Sequence, residues 1–248
     1  MSTTTAFGAL VRAETRMVVR DTAGLVVPFA LPTLLLVMNA AAFGDQEVGG
    51  GRTVVDVHVL PVVVAVVVTM VGVVNMPSFL VTYRRTGILR RLAVTPVAPS
   101  LVLAAQVVVG VVQALLGIAV AYAVAVAAFG ASPPSRVGAL LGVLALSIAA
   151  TYALGALVAA VAPTPSSAVA GGLVLFFALG TLGGMFGSTD VLPDVLARIG
   201  EVLPFGATVA ALAAASGETA LPVAPMVGLA VTAVVAAGAA TWTFRWDR

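Results

Sequence analysis

The chain has 248 residues, of which 61% are apolar and 9% charged, with a formal net charge of +2 and a mean hydropathy of +1.16. A soluble domain carries about a quarter charged residues, so this chain has too few polar groups to cover a surface in water. It contains no cysteine, and all 12 basic residues are arginine, which excludes disulfides, thiolate metal sites, a lysine Schiff base and the lysine of a Walker A phosphate loop; any ATP-driven step requires an ATPase on another chain.

Residues 5–22 predict an interfacial helix. Phe7, Leu10, Val11, Met17 and Val18 follow helical spacing beside an Arg12, Arg16, Arg20 stripe, the pattern of a helix at headgroup level with arginine on anionic lipid. The same arginines serve equally as a plain positive-inside anchor. Six stretches then reach the roughly 20 mainly apolar residues that cross a bilayer: 25–43, 59–81, 101–129, 137–161, 168–186 and 222–244. None holds Arg, Asp or Glu. The first is read as a retained span, because its apolar run exceeds the about 7–15 residues of a signal peptide and about twenty residues precede it. The second has ten valines between Val59 and Val74. Apolar on all sides rather than alternating, it reads as helix and not as barrel strand. The expected fold is all-α, one polytopic transmembrane domain over residues 1–248.

Arginine counts orient it. Arg12, Arg16 and Arg20, the Arg84, Arg85, Arg90 and Arg91 loop, and Arg245 and Arg248 make nine on one side, against Arg52, Arg136 and Arg198, three, on the other. Basic loops stay in the cytoplasm, so both termini are expected there. His58, the only histidine, cannot build a His-rich metal site and has no orienting partner in view; it reads as an interfacial residue. Pro28, Pro32, Pro61 and Pro77 predict kinks. Gly138-x-x-x-Gly142, Gly180-x-x-x-Gly184 and Gly183-x-x-x-Gly187 offer close helix contacts.

Between spans two and three, residues 83–94 predict a short basic amphipathic helix. Ile88, Leu89 and Leu92 share one face, Arg84 and Arg91 another, and Pro96 ends it. By composition alone this loop needs no role beyond topology signalling. Residues 190–217 predict an insert too short and interrupted to cross. There Val195, Leu196, Ile199 and Leu203 form an apolar stripe opposite Asp194 and Arg198, and Gly206–Ala215 forms a second short helix.

The run R-x-x-G-x-L-R-R-L-x-x-T-P, carried here by Arg84, Gly87, Leu89, Arg90, Arg91, Leu92, Thr95 and Pro96, resembles the cytoplasmic coupling segment of type-2 ATP-binding-cassette (ABC) transporter permeases. The likeness is greatest to the actinobacterial branch that exports drugs, antibiotics and lipids. Members often carry Glu beside the Gly where this chain has Tyr83 and Arg85. The 190–217 segment resembles the family's extracellular helical insert before the last span. The resemblance implies a transport subunit of a bacterial plasma-membrane exporter, not an enzyme, that works as a dimer with a second copy or a paralogue. It implies a separate P-loop ATPase that carries Mg-ATP, with no cofactor on this chain. Arg84, Arg85, Gly87, Ile88, Leu89, Arg90, Arg91 and Leu92 would then meet the ATPase. The partners expected are membrane lipid and a lipophilic or amphipathic cargo, with no nucleic acid.

No charged residue lies within the spans, which argues against a proton or ion relay. Their polar residues, among them Asn39, Asn75, Gln106, Gln113 and Tyr152, are either cargo contacts or hydrogen bonds between helices. Two rivals stand beside the exporter: a passive channel or scaffold, and an integral-membrane enzyme. Neither would need an ATPase.

Overall fold

The computed structural model describes residues 3–43, 46–87, 99–217 and 219–243. Helix α1 (Thr3–Arg20) is followed after one residue by α2 (Thr22–Phe43). Asp21 makes the break: its Oδ1 accepts the Gly24 amide at 3.0 Å, an N-cap that satisfies one of the open donors of the first span. Pro28 and Pro32 lie inside α2, which runs on through both. A small antiparallel hairpin follows, β1 (Glu47–Gly49) and β2 (Arg52–Thr53). It turns at Gly50 and Gly51, both with positive φ, a Gly-Gly signal for a tight hairpin that the spans of apolar sequence around it obscured.

The second span is one helical run, α3 (Val55–Arg85), longer than the 59–81 read from hydropathy. The helix continues past the apolar limits because the charged residues at each end find partners. The remaining spans are α4 (Pro99–Phe129), α5 (Val137–Val161), α6 (Pro165–Leu182) and α9 (Val223–Thr243). The fifth starts three residues before the expected 168, where Thr164 and Ser167 form a reciprocal capping box, and ends at Leu182 rather than 186. Between α6 and α9 lie a short 3₁₀ turn (Thr189–Val191), α7 (Asp194–Val202) and α8 (Pro204–Ser216), the last two bent by 77°. Among the described residues six helices are long and apolar enough to cross a membrane.

Helix α3 is the centre of the bundle. Within its most apolar window 83% of residues are buried, against 22–44% for the other five spans. Its two π-helical turns, Val55–Val59 and Met70–Asn75, each come just before a residue followed by proline, Leu60-Pro61 and Met76-Pro77. Proline lacks an amide hydrogen and its ring crowds the carbonyl four residues earlier; a widened turn relieves that crowding. The second of these turns sits in a notch made of glycine. Gly155 of α5 lies against the Gly72 carbonyl, and Gly172 of α6 against that of Val73, with no room for a Cβ at either place. By contrast, nothing lies within 4 Å of a Cβ at Gly138 or Gly142, so the first of the predicted glycine spacings makes no contact. A second glycine seam joins the insert to the bundle: Gly200 rests on the Leu182 carbonyl, and Gly206 on that of Gly200 beside Gly183.

The two insert helices differ. Helix α7 leaves Val195, Leu196 and Ile199 exposed, whereas α8 buries Phe205, Ala207, Thr208, Ala211 and Leu212 against α3, α5 and α9. Thr208 donates to Pro204 O at 2.6 Å and lies 2.8 Å from Ser147 Oγ on α5.

The notch yields a prediction. Gly155→Leu should lower the melting temperature of the solubilised chain sharply, by overpacking worth about 1–3 kcal/mol or more, while Gly138→Leu should leave it within about 0.5 kcal/mol. Equal melting of the two variants would contradict the notch.

Candidate functional site

Charged and polar side chains gather in three places. At one end of the bundle, Tyr83 and Arg84 occupy the last turn of α3. The Tyr83 hydroxyl meets Glu14 Oε1 of α1 at 2.5 Å. Arg84 donates from Nη1 to Ala159 O at 3.1 Å and from Nη2 to Ala162 O, so its guanidinium closes carbonyls at the C-terminal end of α5, where a cation also suits the helix dipole. Arg85 is exposed. The helix stops there: Gly87 takes a left-handed φ of +68°, so Tyr83–Arg85 belong to the second span rather than to a separate helix over 83–94. Ile88, Leu89, Arg90, Arg91, Leu92, Thr95 and Pro96 lie outside the described residues.

Glu14, which sequence reading passed over, is 3% exposed. Burial pushes its carboxyl above the ordinary value of 4.5, and the Tyr83 hydrogen bond opposes the rise. The only signal was its place, an acid among three arginines on the apolar N-terminal helix.

The second place is in the bundle interior. Asn75 and Gln113 each donate to Gly24 O at 2.7 Å, and Gln106 donates to Met76 O at 3.0 Å. Together with Tyr152 they line one small pocket with Glu14, Val18 and Gly110. Four of the five polar residues singled out in the spans thus come together. Asn39 does not: it bonds back to Leu35 O at 2.8 Å and lines a separate crevice with the exposed His58.

The third place is the opposite end. Asp56, 3% exposed, accepts from Thr53 N at 3.0 Å, Thr53 Oγ1 at 3.2 Å and Ser132 N at 2.8 Å. One Asp56 oxygen thus takes both donors of Thr53, three residues before it. Arg52 donates to Pro133 O and Ser135 Oγ, both at 3.2 Å, and Tyr122 to Ser132 O at 2.7 Å. Arg136 reaches Thr219 O at 2.6 Å. These bonds tie the hairpin, the α4–α5 loop and the end of the insert into one rim. Beneath it a cavity of about 340 Å³, within the range of small-molecule sites, lies between α3, α4, α5 and α8. Its walls are apolar, with Leu60, Val64, Ile118, Leu140, Leu144 and Leu212 among them, while Arg52, Asp56, Tyr122 and Ser132 stand at its polar edge.

Five apolar spans around a sixth, buried one, with no charged residue inside the apolar stretches, define a multi-pass α-helical membrane protein. Residues 5–215 match the family model described as ABC-2 type transporter. The chain belongs to that family: it is the membrane domain of an ABC transporter. No curated protein sequence matches it.

Two predictions follow from the Arg84 end. Arg84→Ala should open the carbonyls of Ala159 and Ala162 and destabilise the chain by about 1–3 kcal/mol, read as a lower melting temperature. Glu14 folds more readily when protonated, so its contribution is full below pH 4.5 and is lost as pH rises through the raised value. Glu14→Gln keeps an acceptor for Tyr83 and should flatten the fall of melting temperature with rising pH; an unchanged slope would count against the buried carboxyl.

Proposed function

We propose that the chain is the permease subunit of an ABC exporter that moves a lipophilic or amphipathic compound out of a bacterial cell. Two permease subunits form the path, as a homodimer or with a paralogue, and separate P-loop subunits hydrolyse Mg-ATP. The observation that carries the cargo class is the cavity under the Arg52–Asp56 rim. An amphiphile divides as this cavity does, with a hydrocarbon part against leucine and valine and a polar part at the rim. The absence of charge on its walls suits a cargo that brings none into the apolar region.

Direction and partner rest on the arginines. Arg84 and Arg85 stand at one end of the bundle, a few residues before Arg90 and Arg91 in the sequence, and Arg52 and Arg136 at the other. The positive-inside rule puts the first end in the cytoplasm, with both termini, and so the cavity on the outward side of a plasma membrane. With no lysine in the chain, the phosphate-binding lysine of the ATPase must come from a partner. Residues Gly87 to Leu92, with Arg85, are the segment we assign to that partner. Arg84 belongs to the same group and also donates to the carbonyls of Ala159 and Ala162 at the end of α5.

Charge reversal at Arg90 and Arg91, both to Glu, tests the reading. Co-purification of the ATPase and ATP-dependent efflux of a lipophilic fluorescent dye from vesicles should each fall by about tenfold or more, the loss expected from desolvated contacts worth about 1.4 kcal/mol or more. Efflux that persists without ATP would defeat it in favour of a passive channel, and a reversed variant that keeps both its ATPase and its transport would overturn the role assigned to Arg90 and Arg91.

A further inference from the structure

The interior polar pocket holds an imbalance that the exporter reading does not use. Gln106 spends its amide hydrogen on Met76 O, but its Oε1 has no hydrogen-bond partner among the described residues, and neither has the Tyr152 hydroxyl. Both residues are deeply buried, at 5% and 6% exposure. A buried polar group with no partner costs about 1–3 kcal/mol, and native interiors rarely leave two in one place. The two atoms are also complementary, since one lacks a donor and the other carries a hydrogen to give.

They are neighbours by construction. Gln106 and Gly110 are four residues apart on α4, on one face of the helix. The Tyr152 hydroxyl from α5 lies over Gly110, where no Cβ would fit, so this glycine makes the room that brings the hydroxyl to the face Gln106 occupies. The pocket they line has about 10 Å³ of free space, close to one water and far below any cargo molecule.

We propose that this pocket binds a single water molecule, which donates a hydrogen bond to Gln106 Oε1 and accepts one from the Tyr152 hydroxyl. Asn75, Gln113 and Glu14 border the same pocket and supply acceptor oxygens for its second hydrogen. The water completes a knot that joins the start of α2 at Gly24, the end of the π turn of α3 at Asn75 and Met76, α4 at Gln106 and Gln113, and α5 at Tyr152. Asn75, Gln106, Gln113 and Tyr152 are then positioning residues that fix the π turn among its neighbours, and cargo does not touch them. The inference does not depend on what the transporter carries.

The full chain in lipid nanodiscs provides two tests. X-ray hydroxyl-radical footprinting generates the label from bound water itself. Tyr152 should be oxidised at least tenfold faster than Phe176, which is fully buried in an apolar cluster; equal protection of the two would overturn the proposal. The second test turns on a sign. If a water bridges the pair, Tyr152→Phe removes one of its partners and the melting temperature falls by several degrees. If the pocket is dry, the same change deletes an unpaired hydroxyl and the melting temperature rises or stays put, which refutes the site. In the wet case Tyr152→Phe combined with Gln106→Leu should cost less than the sum of the two single changes, because both partners of one water are then gone. Strict additivity also counts against it.

Discussion

A helix enclosed by protein on nearly every side must have every departure from regular hydrogen bonding answered by another helix. That condition governs α3. Its prolines force two widened turns, and every residue of the second is buried. The answers come from neighbours: glycine on α5 and α6 lets backbone approach backbone at Gly72 and Val73, and amide side chains on α3 and α4 take the carbonyls of Gly24 and Met76. The rest of the bundle is arranged to make these approaches possible. Helix α8 packs beside α3 toward its Asp56 end, and α1 covers the end near Tyr83 with Val18 against Phe79 and Val109.

The few charged groups with resolved surroundings follow the same logic. Asp56 and Glu14 are each buried yet neither is bare, the first holding three donors and the second a phenol. Arg84 is spent on helix-end carbonyls. In a medium that solvates charge poorly, a side chain of this kind works best as a terminator of backbone structure, closing groups that would otherwise face hydrocarbon. Asp56 and Arg84 stand at the two ends of α3, where such groups are found.

Hydropathy made the interior of each span legible, because twenty apolar residues have few alternatives in the absence of charge. It misjudged ends. The second span runs past 59–81 because Asp56 and Arg84 find partners at positions 132, 159 and 162, far along the chain, and no local pattern announces a partner at that distance. The fifth begins at a capping box that hydropathy does not weigh. Spacing also failed to choose among glycines. Gly138 and Gly142 have the right interval and touch nothing, while Gly72, Gly155 and Gly172 matter through which helices meet. The polar residues of the spans were visible as types. Their convergence was not, since Asn75, Gln106, Gln113 and Tyr152 share no helix face until three spans are packed. Glu14 fell within a helix read only for its arginines.

One junction has a mechanical meaning. Only Asp21 separates α1 from α2, and its side chain is tied to the first turn of the span. Helix α1 has 18 residues, so at about 1.5 Å per residue it is an arm of about 27 Å with almost no slack at its pivot. Nearer its pivot than its tip it is fastened again, by Glu14, to the last turn of α3. An arm pinned to one upright and latched to another cannot drift by itself: a tilt of either span is imposed on the other. The first two spans and α1 are therefore linked as a crank, and the stretch that leaves α3 at Gly87 sits at the end of one of its members.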